Sequence, residues 1–575
     1  MSSPFSARRA GVLCPVFALR RAGDLGIGDT AAVRLLIDWA AGTGLKFLQF
    51  LPINATGGDN SPYNAISSVA LEPLTLDLSP AAVREISAEA WAEAEASLKE
   101  SGAPTERVDY PAVRERKNAL LRAGLAALRR DDSEEGSRRR QALAGFRAAE
   151  AAWLDDFCLF RVLMDRAGHE DWTNWPDEFN TGEKARHWLA AENGERREEI
   201  EAGLLRHAYA QWLCAEQWRG VRDYAKTRGV ALMGDVPFGI SWCSADVFFH
   251  PEQFDLEWCG GAPPEFYFKD DLFVQKWGQN WGIPLYDWPA MEADGFAWWR
   301  QRIHKLTEVF SIFRIDHVLG FYRIYGFPWR PTRNEEFLPL TLEEAAERCG
   351  GRLPHYIEHD DDTPEHKAAN LAQGGRFLRM ILEAAGGAEV VAEDLGTVPD
   401  YVRPHLLSLD VPGFKICHWE DDGHGHAVQG MTYDNCSFTT YATHDHEPMK
   451  TFWERRRLEL ENPALSEEER AHAAKELKML CQFSWQHPEH GPYPPYNDAI
   501  RRNLLAALFN SHARFAAFLL TDLFGLELRF NVPGIAGGQN WSSRLPMMVE
   551  ALAAEPPWRE ESAWLAEAIK ASGRA

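Results

Sequence analysis

A chain of 575 residues, 45% of them hydrophobic, is long enough for one large barrel with insertions or for several ordinary domains, each with a sizeable core. Its formal charge of −24 argues against nucleic acid or an anionic membrane surface as a partner, since both are held by positive patches. Nine scattered cysteines with no C-x-x-C pair, and no apolar run long enough to span a bilayer, point to reduced thiols in a soluble cytoplasmic protein rather than to a disulfide framework or a zinc ribbon.

Eight short apolar runs read as strands: 11–18, 45–53, 230–238, 309–317, 388–396, 411–419, 436–445 and 527–535. Several are apolar at nearly every position, as parallel strands buried on both faces are. Helical periodicity fills most of the gaps, over 29–41, 295–308, 375–385, 399–409 and 498–518. Strand and helix in this alternation predict an α/β protein, a (β/α)8 TIM barrel with inserted, mostly helical subdomains. The longest gap is rich in Ala, Glu and Arg, with helices expected over 81–100, 110–129 and 139–163 and a solvated charged connection over 129–138. The expected division is therefore barrel over 1–78, a helical insertion over 79–218, and the rest of the barrel over 219–575, itself interrupted near 250–290, 327–367 and 454–496.

Tryptophan is abundant, at 22 residues, and Trp258, Trp277, Trp281 and Trp288 fall in one Gly/Pro-rich stretch with weak periodicity. That stretch is expected to be a loop whose rings either stack on sugar faces or simply pin the loop. Polar residues gather where the apolar runs stop, the face on which barrel active sites are built. The run 309–317 ends in Arg314, Asp316 and His317, and alternation puts Arg314 and Asp316 on one side. A guanidinium beside a carboxylate favours its ionised form, as a nucleophile needs, although an ordinary buried ion pair would leave the same trace. Asp235 closes the third run, Glu393 and Asp394 the fifth, and His444 with Asp445 the seventh. Carboxylates at several strand ends suit glycosidic chemistry, in which one carboxyl attacks and another donates a proton. Glu393 and Asp394 point to opposite faces, so one of them faces the barrel mouth; the pattern alone does not say which.

These motifs together resemble glycoside hydrolase family 77, the 4-α-glucanotransferases (amylomaltases or disproportionating enzymes), a branch of the α-amylase clan. The resemblance runs in order through Ser61-Pro-Tyr63, Gly234-Asp-Val-Pro-Phe238, Ser244-Ala-Asp-Val247, Ala262-Pro-Pro264 and Gly278-Gln-Asn-Trp-Gly282. It continues through Phe313-Arg-Ile-Asp-His317, Ala392-Glu-Asp-Leu-Gly396, Thr443-His-Asp445, Asn531-Val-Pro-Gly534 and Asn540-Trp541. It implies that Asp316 is the nucleophile, Glu393 the general acid/base and Asp445 the transition-state stabiliser. It also implies that Tyr63, Asp235, Trp281, Arg314, His317, His444 and Asn540 bind substrate, with α-1,4-glucans as substrates and no metal or other cofactor. A retaining double displacement would move a glucan segment to the 4-hydroxyl of another sugar, with Glu393 raised in pKa and Asp316 lowered.

The chain departs from the commonest family pattern at His446-Glu447-Pro448, which follow Asp445 where many relatives have Asn-Asp. It departs again at 265–269 with Asn280-Trp281, and in its large helical insertion. These bear on acceptor preference and product size rather than on the carboxylates. Rival readings are a plain α-glucan hydrolase, a metal-dependent barrel hydrolase using His317, His418, His444 and His446, and a catalytically dead glucan binder. Oligomeric state, monomer or dimer, is not set by the sequence.

Overall fold

The computed structural model describes residues 7–575 apart from 101, 103–104, 266–270, 487–489, 535–536 and 538. In chain order its strands are β1 Arg9–Leu13, β2 Phe47–Gln49, β3 Ala231–Val236, β4 Phe254–Ala262, β5 Gln279–Tyr286 and β6 Ile312–Ile315, followed by β7 Ile324–Phe327, β8 His355–Ile357, β9 Glu389–Ala392, β10 Gly413–Ile416, β11 Ser437–Thr440 and β12 Phe515–Leu519. Eight of them close a parallel barrel in the order β1-β12-β11-β10-β9-β6-β3-β2. Its interior is filled by Phe47, Met233, Ile312, Val391, Phe414, Phe438 and Phe515. Gly11 makes room for this layer: a Cβ there would lie 2.3 Å from the Phe47 ring. Helices wrap the outside; the one over Thr30–Thr43 starts where Asp29 accepts from Ala32 N–H and stops at left-handed Gly44.

The barrel is as expected, but its last strand is not where the sequence reading put it. Residues 527–534 form an irregular loop, with Ile535 outside the described residues, and the closing strand is β12. The helix expected over 498–518 ends at Asn510. Phe-Ala-Ala-Phe-Leu is buried at every position, so it lacks the period-2 alternation that marks a strand, and its alanines extend the helical signal before it.

Helices Ala88–Glu100, Tyr110–Arg130, Glu134–Ala167, Gly182–Ala191 and Gly194–Thr227 occupy the long gap. The charged run at 129–138 is mostly helical. Only Asp131, Asp132 and Ser133 interrupt it, Ser133 accepting from Gly136 N–H to start the next helix. The last of these helices runs on past residue 218 and packs against the barrel helix Thr30–Thr43.

The stretch expected to be an aromatic loop is mostly strand and helix: strands β4 and β5 carry Trp258 and Trp281, and short helices over Leu272–Trp277 and Trp288–Ala293 carry Trp277 and Trp288. β4 pairs antiparallel with β5 and β7, and β8 completes the order β5-β4-β7-β8. Trp277 is buried edge-on against Trp329, Trp288 stacks on Phe377 at 3.9 Å, and Trp258 packs against His355. Only Trp281 of the four reaches the barrel mouth. The family-pattern departure at 265–269 falls largely on residues outside the described ones. All nine cysteines are free, and among the described residues no helix is long and apolar enough to cross a membrane.

Candidate active site

Asp235 on β3 and Arg314 on β6 are register partners, so their side chains leave the sheet on the same side. Arg314 Nη1 donates to both Asp235 oxygens, at 2.9 and 2.7 Å, and Nη2 lies 2.8 Å from Asp316 and 3.9 Å from Glu393. One guanidinium therefore ties three carboxylates together. The Asp235 side chain is fully covered, whereas Asp316 keeps 27% of its exposure, so Asp316 is the carboxylate a ligand in the mouth can reach.

Glu393 follows the end of β9 and faces the mouth; Asp394 does not. Glu393 Oε2 accepts from His317 N–H at 2.8 Å and Oε1 from Leu395 N–H at 3.1 Å. Asp394 turns the other way and accepts from Phe414 N–H and Arg403, buried behind the strand ends. His317 has a left-handed backbone, φ 44°, a region uncommon for residues other than Gly, and its N–H meets Glu393. Burial pushes the Glu393 carboxyl up to about 7, with the Asp316 charge adding to the rise against the pull of Arg314. Burial likewise raises Asp235, to about 6, against Arg314. The same cause keeps the His317 imidazole neutral, down at about 4.

The opposite wall comes from the turns after β2, β11 and β12. Tyr63 Oη donates to Asp235 at 2.7 Å and lies 3.2 Å from His444 Nδ1, and the two rings stack at 4.7 Å. His444 Nε2 is 3.2 Å from Asp445. Asn531 Nδ2 donates to Asp445 Oδ1 at 2.6 Å, and Arg529 donates to the Asp445 carbonyl at 2.5 Å. Although burial works to raise Asp445, His444 and Asn531 hold its carboxyl well below the usual carboxylate range. Trp281, 38% exposed, meets His317 edge-on at 4.8 Å.

Nine of the ten sequence-predicted residues thus share one network of contacts. Asn540 is in the same region, with its side chain on both backbone groups of Val532. Asn531, Arg529 and Trp541 join the site without having been given roles. Asn531 and Trp541 lay inside the motifs, but contacts between positions 86 apart, as from Asn531 to Asp445, carry no local signal.

The departures from the family pattern are built in as well. His446 Nδ1 lies 2.8 Å from Thr443 Oγ1 and its ring packs against Trp419, Glu447 pairs with Arg455, and Asn280 donates to the Trp329 carbonyl. His418 is buried against Phe452 and neutral, pushed down to about 3 by burial. Among the described residues no group of three or more His, Cys, Asp or Glu is arranged to hold a metal ion.

The family model described as 4-alpha-glucanotransferase matches residues 14–549. The 4-alpha-glucanotransferase of Chlamydia caviae is 28% identical, over 94% of this chain and 91% of its own length. The chloroplastic/amyloplastic 4-alpha-glucanotransferase of Solanum tuberosum is 29% identical, over 94% and 83%. Among solved structures, the amylomaltase of Streptococcus agalactiae in complex with acarbose superposes with a TM-score of 0.74 at 22% identity, covering 99% of this chain and 100% of that one. The amylomaltase of Corynebacterium glutamicum gives 0.75 at 21%, covering 98% and 75%. At such identities the two structures speak for the fold alone.

Proposed function

The chain belongs to the 4-alpha-glucanotransferase family, glycoside hydrolase family 77, and from that premise we propose that it moves α-1,4-glucan segments between maltodextrins by a retaining double displacement on Asp316. In the first half, ionised Asp316 attacks the anomeric carbon while protonated Glu393 gives its proton to the departing glycosidic oxygen. The donor's reducing-side fragment leaves with a free 4-hydroxyl, and a β-linked glucosyl ester to Asp316 remains. In the second half, the Glu393 carboxylate takes the proton from an acceptor's 4-hydroxyl as that oxygen attacks the same carbon. Asp316 is released and the α-linkage restored.

The observation that carries this reading is Arg314 Nη2, which lies against Asp316 and within 3.9 Å of Glu393. Such a bridge favours the close carboxyl spacing of retaining enzymes, about 5–5.5 Å, over the wider inverting one of about 6.5–9.5 Å. The environments divide the labour: the Asp316 carboxylate is paired with a cation, while the buried Glu393 keeps a proton near neutral pH. Asp445, held ionised, stabilises the positive charge that develops on the ring, and Tyr63, His317 and His444 lie where ring hydroxyls are to be bound. Trp281 supplies an apolar face at the entrance, in place of the aromatic loop expected from the sequence. Binding of a glucan there in preference to water is what makes transfer prevail over hydrolysis.

Incubation of the pure protein with maltotriose tests the reading. A ladder of longer maltooligosaccharides together with free glucose is the expected result. Glucose and maltose alone would make it a hydrolase, and unchanged maltotriose a binding protein.

A further inference from the structure

The segment just before the helix Tyr110–Arg130 is fastened to the loop that carries Trp541. Val108 N–H donates to the Ser542 carbonyl and Arg544 N–H to the Glu106 carbonyl, each at 2.8 Å, with Arg107 bridged to Ser543 between them. The helix Tyr110–Arg130 begins immediately afterwards, capped by Asp109. From its first position the Tyr110 hydroxyl donates to the Trp541 carbonyl at 2.6 Å. One turn further, Arg114 Nη2 donates to the Gly57 carbonyl at 2.8 Å and to Asn60 Oδ1 at 2.7 Å. The insertion touches the same turn again where Glu170 accepts from Gly58 N–H at 2.9 Å.

The two points gripped share a property. Trp541 and Asn60 both have left-handed backbones, φ 60° and 57°; Asn adopts that region readily, whereas a bulky Trp does so only when contacts hold it there. They also flank one residue, since Tyr63 follows Asn60 by three positions and its ring lies 5.8 Å from that of Trp541. The Tyr63 hydroxyl is tied to Asp235 and lies against His444 Nδ1, but both contacts sit at the tip of the ring and leave its plane to be set by its neighbours. The stacking of Tyr63 on His444, at 14° between planes, is set by what lies on either side. Turns at a barrel mouth are mobile unless something braces them.

We propose that Tyr110 and Arg114 are positioning residues for the transfer reaction. The first two turns of this inserted helix brace Trp541 and the 57–60 turn, and through them hold the Tyr63–His444 wall in its reacting geometry. The inference rests on the reading of that wall as part of the sugar pocket. On this account the insertion is a working part of the site as well as an addition to the barrel. A misplacement of the wall by a fraction of an ångström weakens contacts made in the transition state more than it weakens substrate binding.

The test compares Tyr110→Phe, which deletes one hydroxyl, with Arg114→Ala, Arg114→Lys and Leu121→Ala. Leu121 is buried in the same helix, in the satellite core away from the mouth. Each protein is assayed for maltotriose disproportionation, thermal midpoint and amide hydrogen exchange in peptides spanning 57–63 and 539–544. Tyr110→Phe and Arg114→Ala are expected to lower kcat about five- to twentyfold with little change in KM, and to speed exchange in those two peptides. Arg114→Lys is expected to recover part of the loss, and Leu121→Ala to lower the midpoint at unchanged kcat. In a Tyr63→Phe background the effect of Tyr110→Phe is expected to shrink, because both act through one wall.

Wild-type kcat in Tyr110→Phe and Arg114→Ala, or undiminished additivity with Tyr63→Phe, would overturn the proposal. If the wild-type protein left maltotriose unchanged, the proposed function would fall instead, and the exchange measurement would still decide whether the brace exists.

Discussion

Asp235 and Arg314 face each other across the β3–β6 register, and both oxygens of the aspartate rest on one nitrogen of the arginine. The pair is sealed from solvent, and Tyr63 bonds to the same carboxylate. Removing one partner of a buried pair ordinarily costs about 3–5 kcal/mol, because a charge is left without compensation. Here Asp316 and Glu393 stand ready to take up the freed charge of Arg314. Asp235→Asn is therefore expected to lose less stability than that range, and to lower the pKa of Glu393 by removing a negative neighbour and turning Arg314 towards it. The alkaline limb of the pH–rate profile should move to lower pH as kcat falls. A limb that stays in place would show that Arg314 is not shared among the three carboxylates.

Glu393 sets the pH dependence of both activity and stability. As a proton donor it must be protonated, so kcat/KM should fall as pH rises through about 7, where burial has placed its pKa. The folded-state value lies above the usual 4.5, so its contribution to stability is fully present below that value and is lost as pH rises through about 7. Glu393→Gln removes the titration. Its amide nitrogen cannot accept from one of the two backbone N–H groups, so at pH 5 it should be about 1–3 kcal/mol less stable than the wild type, and the gap should close as pH rises to 8, while turnover falls about 10²–10⁴-fold. Thermal melts across this range check the sign, and a gap that stays constant from pH 5 to pH 8 would refute it.

Trp277 and Trp281 lie four positions apart and should behave in opposite ways. Trp277 is buried against Trp329, and its Nε1–H donates to the Phe337 carbonyl. Trp277→Ala should cost about 3–5 kcal/mol of stability. Trp281, half out in solvent beside His317, should cost under about 1 kcal/mol when replaced by Ala, while kcat/KM for maltotriose falls about tenfold. Denaturant melts and steady-state kinetics on the two variants separate a core ring from a cleft ring.

The same pair shows where sequence reading reaches its limit. Arg314, Asp316 and Asp235 were legible because strand alternation is local: positions two apart share a face, and apolar runs that stop at charges mark the barrel mouth. Glu393 and Asp394 were legible only as a pair, since alternation states that they diverge and not which way. Which tryptophan is a cleft ring depends on β5 pairing with β4 and not on neighbours in sequence. β12 was hidden because a strand buried on both faces has no period, so its alanines read as a continuation of the preceding helix. Tyr110 and Arg114 looked like ordinary members of an amphipathic helix, because their partners Trp541 and Asn60 lie far away in the chain.

The roles proposed for Asp316 and Glu393 differ in one testable respect: only the second is tied to the leaving group. A donor whose leaving group departs without a proton, such as an α-maltosyl fluoride, makes general acid assistance unnecessary to the first half-reaction. Glu393→Gln should therefore release fluoride in a burst at a rate near the wild type's, and then stall, because no carboxylate remains to activate the acceptor. Asp316→Asn should release none above background, since no bond to the anomeric carbon can form whatever the leaving group, while glucan binding measured by calorimetry stays within about threefold of the wild type. Arg314 pairs with Asp316 and lies 3.9 Å from Glu393, so both carboxyls sit beside the same cation and the two roles have to be told apart by experiment. Fluoride release by Asp316→Asn without release by Glu393→Gln would mean that the nucleophile is Glu393. The exposure of Asp316 to the mouth, and the burial that keeps Glu393 protonated near neutral pH, argue for Asp316 as the nucleophile.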